Sequence, residues 1–214
     1  MTTMELLAAA TIMLIIMAVA SSFFTTQQRM LLVQSAYAQS QNVTRTFSDL
    51  FSREMRMASY DPTGAAIVTG PSGAGVTCPS VKQGITEAAS SSVRFIQDLN
   101  GDGDVGDANE NVRYYLSGSQ ILRQDGNGTP LVLVEGVPNG GLTFNYYNNS
   151  NPPAELTDYQ GSPAQLPSAS RDCVGKIRVR LTAQLADPQF GDIQPLVSSI
   201  DTEIAIRNRS LMNF

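Results

Sequence analysis

The sequence predicts an α+β protein in which one long N-terminal helix, apolar in its first part, packs on an antiparallel β-sheet domain. Three observations predict it. An uncharged apolar run extends from Leu6 to Phe24. From Thr25 to about Ser59 no Pro or Gly interrupts a helix. Beyond Pro62 the punctuation changes to Gly, Pro, Asn and Ser and the hydrophobic period drops to two. The expected organisation is therefore a membrane or core segment over 1–24, its amphipathic continuation over 25–60, and a β-rich globular domain over 61–214.

As a helix, Leu6–Phe24 spans about 28 Å at ~1.5 Å per residue, close to the ~30 Å hydrocarbon thickness of a bilayer. Glu5, at its head, is the only ionisable side chain before Arg29. A carboxylate deep in a bilayer costs about 2.5–3.5 kcal/mol on insertion scales, so Glu5 calls for a positive partner. The nearest is an N-terminal amine, its own or that of a neighbouring copy. A cleaved signal peptide fits less well. It wants a Lys/Arg-rich start and a small-residue cleavage site, whereas the start here is Met-Thr-Thr-Met-Glu and the Ala-Tyr-Ala at 36–38 lies well past the apolar run.

The helical pattern continues past the apolar run. Met30, Val33, Tyr37, Thr44, Phe47, Phe51, Met55 and Ala58 recur at spacings of three, four or seven, one stripe of an amphipathic helix. Gln28, Gln34, Ser35, Asn42, Arg45, Asp49 and Arg56 occupy its other face. Pro62 supplies the stop. Strands are then expected at Ser92–Gln97, Val112–Leu116, Leu131–Val134, Leu142–Tyr147, Lys176–Ala183 and Val197–Arg207. In the last two, Ile177, Val179 and Leu181 alternate with Lys176, Arg178 and Arg180, and Ile200, Ile204 and Ile206 with Asp201, Glu203 and Arg207. Antiparallel pairing of these strands sets a basic row against an acidic row, each pair contributing about 0.2–1 kcal/mol. Asn148 to Asp172, rich in Pro, Ser, Asn and Gly, reads as a long surface loop.

Composition excludes several classes. A formal net charge of −5 disfavours nucleic-acid binding, which needs clustered Lys and Arg. The chain has no histidine, hence neither the commonest general base nor the commonest metal ligand. It carries no G-x-S-x-G and no Cys/His pair, so an enzyme is not expected. The two cysteines, Cys78 and Cys173, are most simply a disulfide. Closing a loop of about 100 residues contributes ~4.7 kcal/mol in the chain-entropy model.

The sharpest motif of the polar part is the acidic loop from Asp98 to Glu110. Asp98, Asn100, Asp102 and Asp104 alternate around Gly103, the D-x-N-x-D-G opening of a calcium loop, in which hard oxygens converge on a hard cation. The twelfth position is Asn109, with Glu110 one residue late, so Asp107 or Glu110 is left to close the site. Strand signals flank the loop, which excludes an EF-hand module. The competing reading is a metal-free hairpin loop of turn-forming residues.

Thr2, Glu5, Leu6 and Leu7 followed by an unbroken apolar helix resemble a mature type IV pilin, whose start is typically F-T-L-I-E-L; here Met1, Thr3 and Met4 replace Phe, Leu and Ile. Arg56-Met57-Ala58-Ser59-Tyr60-Asp61 is similar to the R-x-A-G-Y-D that ends the long helix in PilW-type minor pilins, and Val112–Leu116, Leu122-Arg123 and Ile206-Arg207-Asn208 also look like that group. The resemblance implies the pilin fold, a leader peptide already removed, an N-methylated Met1, and assembly through Met1 and Glu5. It further implies residence in the bacterial inner membrane with the globular domain in the periplasm, then incorporation into an extracellular filament. Partners are other copies, other pilins and the pilus assembly machinery. A minor or priming subunit, a type II secretion pseudopilin, and an anchored calcium-binding module that never polymerises are the alternatives. Unlike many pilins, the apolar helix has Ser21-Ser22 and no glycine or proline.

Overall fold

The computed structural model describes residues 2–67, 84–185 and 196–206. The first element, α1 (Thr3–Met57), runs unbroken through the apolar segment and the amphipathic stripe. The chain divides into two units, Met1–Ser40 and Gln41–Phe214, with the border inside α1. Met1, Cys78 and Arg207 lie outside the described residues.

In the second unit, β1 (Ile85–Ala88), β2 (Ser92–Ile96), β3 (Asn111–Ser117), β4 (Gln120–Asp125) and β5 (Leu131–Glu135) form a five-stranded antiparallel meander in chain order. A second sheet has the order β7-β6-β8-β9, from β6 (Leu142–Asn148), β7 (Glu155–Leu156), β8 (Val174–Leu185) and β9 (Leu196–Ala205). A short helix, α2 (Ser168–Arg171), precedes β8. The sheets meet at the β1–β2 turn, where Phe144 N–H donates to Ser90 O (2.8 Å), Leu166 N–H to Ala88 O (2.8 Å), and the Tyr146 hydroxyl lies 2.9 Å from Ala89 O.

One core joins helix and sheets. Phe47, Phe51, Met55 and Ala58 of the α1 stripe and its exit pack with Val93, Phe95, Val112, Tyr114, Ile121 and Val134 of the first sheet and Leu142, Phe144, Tyr146, Ile177, Val179, Leu181 and Ile204 of the second. The long helix packed on antiparallel sheets is the α+β architecture expected. The stripe is shorter than its periodicity suggests: Thr44, Phe47, Phe51 and Met55 are buried, whereas Met30 and Tyr37 remain 56% and 42% exposed.

The helix ends before Pro62. Ser59 adopts a left-handed φ of +66°, its N–H donating to Ile96 O (2.9 Å), and Tyr60 N–H returns to Met57 O (2.8 Å). This exit needs a close backbone neighbour. Gly84 supplies it, since a Cβ there would fall 1.7 Å from Ser59 Oγ.

The six expected strands form, with ends shifted by a residue or two. β8 and β9 pair antiparallel with Arg178 opposite Glu203 and Arg180 opposite Asp201. The predicted ionic rows are present: Lys176–Glu203 at 2.8 Å, Arg178–Asp201 through two bonds of 2.5 and 2.7 Å, and Arg180–Asp201 at 3.1 Å. The stretch Asn148–Asp172 departs from the surface loop expected. It contains β7 and α2 and sends Leu166 and Ser170 into the interior, at 0% and 1% exposure. One leucine and one serine buried among prolines and other serines carry no hydrophobic period, so this anchoring leaves no pattern in the sequence.

Candidate functional site

Two places concentrate the chemistry singled out above, one in each unit. On the first, every residue from Thr2 to Leu32 is exposed. Leu6, Leu7, Ile12, Met13, Leu14, Ile15, Ile16, Met17 and Val19 each leave 58–70% of their surface open. A helix apolar on all sides is stable only when something apolar surrounds it. Among the described residues α1 is the one helix long and apolar enough to cross a membrane. Glu5 lies in its first turn, where Thr2 N–H donates to Oε2 at 2.9 Å. The carboxylate thereby satisfies one of the orphan donors of the helix start and complements the positive end of the dipole.

On the second unit, the acidic loop sorts its five carboxylates into two sets. Asp98 and Glu110 are buried, at 0% and 1% exposure, and their carboxylates hold the loop from beneath. Asp98 accepts from Gly101 N–H (2.6 Å) and Gly103 N–H (3.1 Å); Glu110 accepts from Leu99 N–H (2.9 Å) and Asp107 N–H (3.1 Å). Asp102, Asp104 and Asp107 instead stand exposed, with one oxygen of each within 4.8 Å of the others. The Asn100 amide lies between them, donating to Asp102 (3.0 Å) and Asp107 (2.7 Å), while its Oδ1 accepts from Asp102 N–H. The charges of Asp102 and Glu110 push the Asp107 carboxyl up; the Asp104 N–H and the Asn100 amide hold Asp102 down. The three exposed aspartates are hard oxygen donors of the class a calcium ion takes, whereas both buried carboxylates are engaged by backbone.

Cys173 is 5% exposed at the end of α2. Its expected partner Cys78 lies outside the described residues.

A third constellation has no counterpart in the sequence reading. Glu54 of α1 receives the Tyr114 hydroxyl at 2.5 Å and the Arg123 guanidinium at 2.9–3.2 Å. Arg123 also donates to Asn109 Oδ1 at 2.7 Å, and Gln97 to Asn109 O at 2.6 Å. Asn109 has a left-handed φ of +65°, so the acidic loop's last turn, the first sheet and α1 share one polar network. Glu54 and Arg123 are 69 residues apart, and no local signal pairs them.

No family model, no curated protein and no solved structure matches this chain.

Proposed function

We propose that the chain is a structural subunit of a type IV pilus or a related filament, assembling through its apolar N-terminal helix. The observation that carries the reading is the fully exposed, uncharged helical stretch from Leu6 to Gln28 with one carboxylate at its head. Before assembly this stretch crosses the bacterial inner membrane once and the β-domain stands in the periplasm. On extraction, apolar helices exchange lipid for one another, and Glu5 is matched by the N-terminal amine of a neighbouring subunit. A charge left unpaired in the core is strongly penalised, so the match fixes axial register. The β-domain forms the outer surface, closed by a Cys78–Cys173 disulfide.

Glu5→Ala tests the mechanism. The variant is expected to insert in the membrane as the parent does. Its incorporation into sheared filaments falls by roughly a hundredfold, the equivalent of about 3 kcal/mol for a partner charge left unpaired. Incorporation at the parental level rejects the charge match. Dominance of the chain in sheared filaments distinguishes a major from a minor subunit.

The acidic loop supports a second, structural proposal, a calcium ion held by Asp102, Asp104 and Asp107. Binding only the folded state stabilises by about 1.4 kcal/mol at tenfold excess over Kd. EGTA is therefore expected to lower the Tm of the parent and to leave an Asp102→Asn/Asp104→Asn variant unchanged. A parental Tm insensitive to EGTA rejects the ion.

A further inference from the structure

We infer that Arg29 of one subunit pairs with Glu5 of another lying parallel to it and displaced by 24 residues, a contact distinct from the one made by the amine. The inference rests on the filament reading and names a second partner surface within it.

Glu5 and Arg29 are the only charged side chains from residue 2 to residue 40, and they are opposite in sign. The 24 positions between them correspond to about 36 Å along a helix and a net rotation of about 240°. Parallel copies displaced by that distance bring Glu5 of one level with Arg29 of the other. The amine contact needs a displacement of only about 6 Å, some four residues, and so involves a different neighbour. Glu5 has two carboxylate oxygens, of which Oε2 alone has a hydrogen-bond partner among the described residues. It can therefore serve both neighbours, and the long apolar stem of Arg29 lets its head group stay near water.

A second observation points to the same displacement. Met30, Leu31 and Leu32 are 52–64% exposed and Tyr37 is 42% exposed, yet they lie beyond the bilayer-length segment ending at Phe24. That length of membrane does not reach them. A copy displaced by 24 residues lays its apolar segment against this patch. On the Glu5 face follow Ala8, Ala9 and Ile12; on the Arg29 face follow Leu32, Val33 and Ala36. Level pairs are then Ala8 with Leu32, Ala9 with Val33 and Ile12 with Ala36, small opposite large, as close helix packing requires.

The rotation decides the symmetry. The two charges face directions about 120° apart, so they are not one self-complementary patch. The contact is heterologous and repeats without closing, which generates a filament. An antiparallel pair would need both charges on one face, and would set the two β-domains on opposite sides of the membrane. Slips of a turn either way leave both charges without an oppositely charged side chain, because residues 6–28 and 30–44 carry no charged side chain.

The test uses the full-length chain in cells that assemble it. Ala9→Cys/Val33→Cys in one chain is expected to give a ladder of disulfide-linked multimers when isolated filaments are oxidised, whereas Ala9→Cys alone gives none. Arg29→Glu is expected to insert in the membrane as the parent does and to lower filament yield by roughly tenfold or more, about 1.4 kcal/mol per decade; Arg29→Lys retains most of the yield. Filaments that form but give no ladder, or parental yield for Arg29→Glu, overturn the Arg29 contact and leave the filament reading intact. A parent that forms no filament overturns both.

Discussion

Replacing Glu54 with alanine is expected to destabilise the β-domain by about 3–5 kcal/mol, the range for one partner removed from a buried ion pair. The side chains of Glu54 and Arg123 are 15% and 13% exposed, and Tyr114 is fully buried. Burial pushes the Tyr114 hydroxyl well above its ordinary pKa, and the neighbouring Glu54 charge pushes it further, so it stays protonated and donates. Burial opposes the charge on Arg123, but the Glu54 hydrogen bonds, the Glu54 charge and Tyr114 together outweigh it and raise its pKa. Without Glu54 a guanidinium remains in a partly dry site with one fewer anion, and a buried hydroxyl loses its acceptor. Urea unfolding followed by the tyrosine signal measures the loss; a change under about 1 kcal/mol rejects the account. Glu54→Leu/Arg123→Leu is expected to recover much of the stability, because apolar replacement of both partners is often neutral.

The exposed pairs between β8 and β9 behave differently. Arg178, with Arg180 beside it, holds Asp201 down to about 2, from 3.8. Because the folded value is the lower one, the contribution is complete above the ordinary carboxylate range and is lost as pH falls toward 2. With Asp201 42% exposed, screening keeps that contribution below about 1 kcal/mol.

The contrast between these pairs also marks what could be read from the chain. The β8–β9 rows were legible because strict alternation of Ile, Val and Leu with Lys, Arg, Asp and Glu fixes both the face and the partner. The helix was legible because nothing between Thr25 and Ser59 breaks it, although periodicity alone could not say that burial begins only at Ser40. Three strands left too little signal: β1 has four residues, β7 has two, and β4, Gln-Ile-Leu-Arg-Gln-Asp, has one apolar pair among polar groups. Its neighbours in the meander, not its own pattern, make it a strand. In the acidic loop, spacing identified Asp102 and Asp104 and left Asp107 as one of two candidates to close the site; these three gather. It could not separate them from Asp98 and Glu110, since which carboxylates turn inward depends on the backbone they cap. The Glu54–Arg123 pair exists only because β4 runs beside α1, a fact of topology without local trace.

Phe51→Ala is expected to lower stability by about 3–5 kcal/mol, the cost of emptying an aromatic site in a packed core. The Phe51 ring is 0% exposed and meets three others: Tyr114 edge-on at 5.1 Å, Phe144 at 5.5 Å, and Phe47 stacked at 5.8 Å. It thus touches α1, β3 and β6 at once, and each ring pair adds about 0.5–1.5 kcal/mol beyond its buried area. At roughly 2–4 °C per kcal/mol for a domain of this size, Tm falls by roughly 6–20 °C. Phe23→Ala is the control, since Phe23 is 66% exposed on the same helix; it is expected to leave Tm unchanged and to act only on association. Equal Tm losses for the two would mean that the apolar segment, not the Phe47–Phe51 stripe, holds the fold. Tyr114 ties this prediction to the first, because its ring packs on Phe51 while its hydroxyl bonds Glu54. Once either neighbour is removed Tyr114 is free to shift, so the double variant Phe51→Ala/Glu54→Ala is expected to cost less than the two single losses together.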